Sequence, residues 1–81
     1  MSYHKREIKK GVYGQFSKVL EEADEVLEAQ EQSNKIMELV ELSDLYGALE
    51  EYIHNSYSMT MEDLKIMSDA TKRAFKSGSR G

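Results

Sequence analysis

The chain contains neither cysteine nor proline. Without cysteine, disulfides and cysteine-based zinc sites are excluded, which leaves a bound metal or self-association to staple so small a fold. The same absence agrees with a reducing compartment. A chain without proline suits helices joined by short turns. No apolar run reaches the roughly 18 residues that a membrane span needs. The opening stretch, MSYHKREIKK, is basic with no apolar segment behind it, so it does not read as a secretory signal. A cytoplasmic protein with no membrane partner is therefore expected. Its 81 residues allow one domain, and a domain of this size buries only a modest share of its surface.

Positive charge is scarce where it would be needed to hold nucleic acid. Residues 21–63 carry 13 acids and a single base, Lys35, for a net charge of −12. The flanks carry ten bases against Glu7 and Asp69, a net of +8. A middle this acidic repels a phosphate backbone, so nucleic acid is not the expected partner. The excess carboxylates are either a solvated surface or a means of holding a cation.

Hydrophobic spacing predicts three helices. Residues 1–14 read as a basic N-terminal arm, 15–77 as the helical domain and 78–81 as a short tail. Phe16, Val19, Leu20, Ala23, Val26 and Leu27 trace one face of a helix ending near Glu31. Gln32-Ser33-Asn34 is turn material, with Ser33 or Asn34 able to cap the next helix. That helix, from about Lys35 to His54, is apolar over most of its circumference, and one short chain offers too few neighbours to cover it. Asn55-Ser56-Tyr57-Ser58 is expected to be a loop. Thr60 reads as the cap of a third helix, whose inner stripe is Leu64, Met67, Thr71, Ala74 and Phe75. The expected fold is all-α: a three-helix protomer that completes a four-helix-type bundle by oligomerisation.

Two acidic patterns lie on the first two helices. Glu21-Glu22-Ala23-Asp24-Glu25 gives E-E-x-x-E, and Glu41-Leu42-Ser43-Asp44 gives E-x-x-D. Residues three apart share a helix face, which pairs Glu22 with Glu25 and Glu41 with Asp44. At ~100° per residue, Glu22 and Glu25 flank the apolar stripe, whereas Glu21 and Glu28 are expected to point further away. Glu41 falls among Met37, Leu45, Ala48 and Tyr52, and Asp44 among Met37, Val40 and Ala48. A buried, unpaired carboxylate costs several kcal/mol or neutralises itself, and the second helix has no base spaced to pair with these two. Mg²⁺ or Mn²⁺, hard ions that prefer carboxylate oxygen, would serve. Each pattern alone is also common on solvated helices.

The two motifs, fifteen residues apart, resemble those of the all-α nucleotide pyrophosphohydrolase superfamily. That superfamily includes the MazG proteins, phosphoribosyl-ATP pyrophosphohydrolase and the dimeric dUTP and dCTP pyrophosphatases. The resemblance covers about residues 15–76. It continues through Asp44-Leu45-Tyr46-Gly47-Ala48, Met59-Thr60-Met61-Glu62-Asp63-Leu64 and Thr71-Lys72-Arg73-Ala74-Phe75, and is greatest to short bacteriophage-encoded members. It implies that Glu22, Glu25, Glu41 and Asp44 hold Mg²⁺ or Mn²⁺, and that Glu21 or Glu25 orients or deprotonates the attacking water. A nucleoside triphosphate or its deoxy form would be cleaved to monophosphate and pyrophosphate by a dimer or tetramer. For a phage protein the compartment would be the host cytoplasm.

Lys18, Lys72, Arg73 and Lys76 are candidates for phosphate contacts or for a solvated face. Tyr52 is a candidate for stacking on a base or for the core. His4 and His54 fall outside both motifs. The chain is short for building a base-recognition pocket alone. Two other readings use the same residues: a non-catalytic nucleotide-sequestering protein, and a helical interaction module with solvent-facing acids.

Overall fold

The computed structural model describes residues 7–77, apart from the side chains of Phe75 and Ser77. The first six residues of the expected arm (His4 among them), the tail 78–81 and the place of Phe75 in the third helix's stripe lie outside the described residues. Every regular element described is helical: α1 is Phe16–Glu31, α2 is Lys35–Tyr57 and α3 is Met61–Ser77.

Local chemistry sets the boundaries. After α1 the chain turns through Ser33, which takes a left-handed conformation at φ 56°. The Ser33 N–H donates to Gln30 O and the Asn34 N–H to Ala29 O, satisfying carbonyls that the helix end would leave open. Asn34 then caps α2, its Oδ1 accepting from the Met37 N–H at 3.1 Å. So short a link folds α2 back along α1.

Asn55-Ser56-Tyr57, expected to be loop, is instead the last turn of α2. None of these residues breaks a helix. The stop comes at Ser58 (φ 54°), where the N–H donates to His54 O and the Met59 N–H donates to Ile53 O. Thr60 and Asp63 close a reciprocal box at the start of α3. Thr60 Oγ1 accepts from the Asp63 N–H at 3.2 Å, and Asp63 Oδ2 accepts from the Thr60 N–H at 3.0 Å.

The part of the arm that is described is docked on the helical pair. The Gly11 N–H donates to Glu21 Oε1 and the Val12 N–H to Ser17 Oγ. A Cβ on Gly11 would run into the Ser17 carbonyl, and Gly14 is buried against Asn55 with φ 90°. Both positions therefore need glycine.

Burial inverts the usual pattern. The apolar core is small: Val19, Ala29, Ala48 and Ile53. On α1 the face against α2 carries Val19, Glu22 and Ala29, flanked by Glu21 and Glu28, while Phe16, Leu20 and Leu27 are exposed. Glu21 and Glu28 are buried although they lie off the apolar stripe of α1. Glu21 is covered by the arm and its own helix, through Gly11, Lys10 and Lys18, and Glu28 is 1 % exposed. On α2 the expected inner position of Glu41 holds, but Asp44 lies at the solvent edge. Ile36, Leu39, Val40, Leu42 and Tyr46 remain exposed, as expected for a helix apolar on most sides. In α3, Leu64 is half-buried and Met67 exposed, so this helix covers little of α2. The molecule measures 48 × 28 × 20 Å with a radius of gyration of 15.2 Å, against about 12 Å for a compact domain of its length.

Candidate metal centre

The seam between α1 and α2 gathers acids from both helices. One ligand oxygen each from Glu21, Glu22 and Glu25 fall within 4.8 Å of one another, and so do those of Glu22, Glu41 and Asp44. Glu22 belongs to both groups, which makes it the hub. The groups arise because E-E-x-x-E and E-x-x-D repeat every three residues, so each motif stacks its acids along one helix face.

Glu21, Glu22 and Glu41 are buried, Glu25 is half-buried and Asp44 is exposed. Lys18 reaches two of them: its Nζ lies 3.2 Å from Glu21 Oε1 and 3.1 Å from Glu22 Oε2. Lys10 approaches Glu21 Oε2 at 3.8 Å. The other oxygen of Glu22, Oε1, is buried with no hydrogen-bond partner among the described residues. An acceptor left in that state costs about 1–3 kcal/mol.

The two outer members of the first motif are driven in opposite directions. Burial alone would raise the Glu21 pKa. The Gly11 N–H, the Lys18 ammonium and the charge of Lys10 overcome it, and the carboxyl is held below its ordinary range. Glu25 is driven the other way. Burial first, then hydrogen bonding to Glu22 and the charges of Glu22, Glu41 and Glu21, push it up to about 7. Lys18 is in turn raised, chiefly by its hydrogen bonds to Glu22 and Glu21.

These residues fit a small divalent cation. All donors are carboxylate oxygens, the hard ligands that Mg²⁺ and Mn²⁺ take. Around one Mg²⁺ at about 2.1 Å, neighbouring oxygens lie about 3.0 Å apart and opposite ones about 4.2 Å, so the oxygens of either group would have to draw together to share an ion.

The remaining candidates are distributed unevenly. Lys18 is spent on carboxylates within the seam. Tyr52 packs its ring against Phe16 at 5.2 Å and lies edge-on to Tyr57 at 6.1 Å. Lys72, Arg73 and Lys76 are exposed on α3, a helix that contributes no carboxylate to either group. Sequence reasoning passed over two features. Lys18 stands three and four residues before Glu21 and Glu22, a spacing that could have signalled the ion pairs. The Gly11 contact spans ten residues and has no local signal.

Comparison of the chain with protein-family models, with curated proteins and with solved structures finds no match in any of the three.

Proposed function

We propose that the chain is a Mg²⁺- or Mn²⁺-dependent nucleotide pyrophosphohydrolase that converts a nucleoside triphosphate, ribo- or deoxyribo-, to its monophosphate and pyrophosphate. The observation that carries this reading is Glu22, buried at the meeting point of two carboxylate groups, with one oxygen that receives no N–H or ammonium from the described residues. The resemblance of the two motifs to the all-α pyrophosphohydrolases supplies the reaction class.

Glu22, Glu25, Glu41 and Asp44 would hold the ion, which when bound neutralises phosphate charge and draws the nucleotide to the seam. The chain's own task is then positioning and proton handling. A water oxygen forms a bond to the α-phosphorus as the bond from that phosphorus to the α–β bridging oxygen breaks. The bridging oxygen leaves with pyrophosphate, and a carboxylate takes the proton of the water. Glu25 suits that role better than Glu21. The Glu21 oxygens are engaged by Gly11, Lys18 and Lys10, and a carboxylate held below its normal range is a weak base. Burial and the neighbouring acids raise Glu25 to about 7, which favours proton uptake, whereas a bound cation would lower it again.

Self-association belongs to the same reading. The exposed Phe16, Leu20, Leu27, Leu39 and Leu42 and the elongated shape support a second copy that covers α1 and α2 and completes a four-helix-type bundle.

The test is pyrophosphate release from a panel of ribo- and deoxyribonucleoside triphosphates with Mg²⁺, Mn²⁺ or chelator. Metal-dependent formation of monophosphate and pyrophosphate, lost in Glu41→Gln, is expected. Metal binding without turnover on any nucleotide would replace catalysis with sequestration.

A further inference from the structure

The acid seam already contains one cation, the ammonium of Lys18. It donates to Glu21 Oε1 and sits 3.1 Å from Glu22 Oε2. Glu22 is 6 % exposed, and its second oxygen receives no N–H or ammonium from the described residues. The hub of both carboxylate groups is therefore half satisfied by the protein itself. An ammonium on one oxygen of a carboxylate and a divalent ion on the other lie close enough to repel each other. Lys18 also has a way out. Its side chain is 27 % exposed at the edge of the seam, on a flexible four-carbon stem that readily re-aims its charge into water.

We propose that Lys18 is a built-in counter-ion, occupying the seam in the metal-free protein and displaced from Glu22 when a divalent cation binds, so that it sets the metal affinity of the site. The inference rests on the metal-binding reading above. Two properties follow. Without metal, Lys18 limits the repulsion among Glu21, Glu22 and Glu25. Once displaced, its ammonium stays tethered one helical turn before Glu22, available to an anionic ligand.

Calorimetric titration of Mn²⁺ into the wild-type chain and Lys18→Met tests this. Lys18→Met should bind Mn²⁺ more tightly, on the order of tenfold, while melting at a lower temperature without metal. Equal or weaker affinity in Lys18→Met, with the wild type still binding, overturns the counter-ion proposal and leaves the metal site standing. Absence of Mn²⁺ binding by either protein overturns both. A measurement on the wild-type chain guards against a variant that fails to fold: acetylation of Lys18 by acetic anhydride, followed by mass spectrometry, with and without saturating Mn²⁺. Faster modification of Lys18 when Mn²⁺ is present is expected, and an unchanged rate in a protein that binds Mn²⁺ contradicts displacement.

Discussion

The seam between α1 and α2 and the outer surface of the same two helices each hold residues usual for the other. Glu22 and Glu41 are buried along with Val19, Ala29, Ala48 and Ile53, whereas Phe16, Leu20, Leu27, Leu39 and Leu42 are exposed. In an ordinary helical hairpin the leucines would line the seam and drive folding by leaving water. Here the inner face costs free energy unless its charges are matched, and the outer face leaves apolar surface in water. The contrast underlies both proposals, a cation for the acids inside and a second copy to cover the leucines outside.

The largest expected effect breaks the inner face. Replacing Glu22 or Glu41 by Gln removes a ligand from the shared groups, and metal-dependent pyrophosphate release should fall by about a hundredfold or more, since even supporting groups around a metal are worth 10–100-fold. Comparable activity in Glu22→Gln would detach the chemistry from the seam.

The outer face should respond to a different substitution. Leu39→Asp places a charge on an exposed apolar position, 68 % accessible in the single chain. Sedimentation should then shift from oligomer towards monomer, with Mn²⁺ binding retained within the seam. If Leu39→Asp leaves the sedimentation of an oligomeric wild type unchanged, the covering surface lies elsewhere.

A smaller effect separates the two faces by pH. Glu25 has its pKa raised to about 7 in the folded chain, above the ordinary carboxylate value of 4.5. Between those values the folded state binds more protons than the unfolded state, so stability falls as pH rises through that window. Glu21 has the opposite sign: its lowered pKa contributes stability that is lost only as pH drops below the carboxylate range. Denaturant unfolding of the metal-free protein from pH 5 to pH 8 should show declining stability, flattened in Glu25→Gln. A slope that survives in Glu25→Gln would assign the effect to other groups.

The smallest expected change lies away from both faces. Thr60→Ala removes the reciprocal box with Asp63 at the start of α3 and should cost about 1 kcal/mol of stability. Metal binding should be unaffected, and a changed Mn²⁺ affinity would tie α3 to the seam.

The legibility of this fold follows the range of its interactions. The three helices, the Asn34 cap and the Thr60 cap rest on contacts a few residues apart, and spacing reveals such contacts. The extension of α2 through Asn55-Ser56-Tyr57 was hidden because these residues are merely poor helix formers, and the stop depends on backbone geometry at Ser58. The two acid motifs were readable as faces, and Glu22 and Glu41 are buried as their neighbours imply. The burial of Glu28 has no signal in its wheel position, which lies off the apolar stripe of α1. Which face pairs is a tertiary choice, and no periodicity within one helix can decide it. The docking of Gly11 onto Glu21 is likewise long-range, so the different environments of Glu21 and Glu25 emerge only in three dimensions.

A divalent cation between α1 and α2 is what the proposed function requires above all. Thermal unfolding of the wild-type chain and of Glu22→Gln, each with chelator and with saturating Mn²⁺, tests it most directly. A rise in Tm on adding Mn²⁺ to the wild type, absent in Glu22→Gln, is the predicted result. A wild-type melting curve that does not move with Mn²⁺, or a rise of equal size in both proteins, would contradict it.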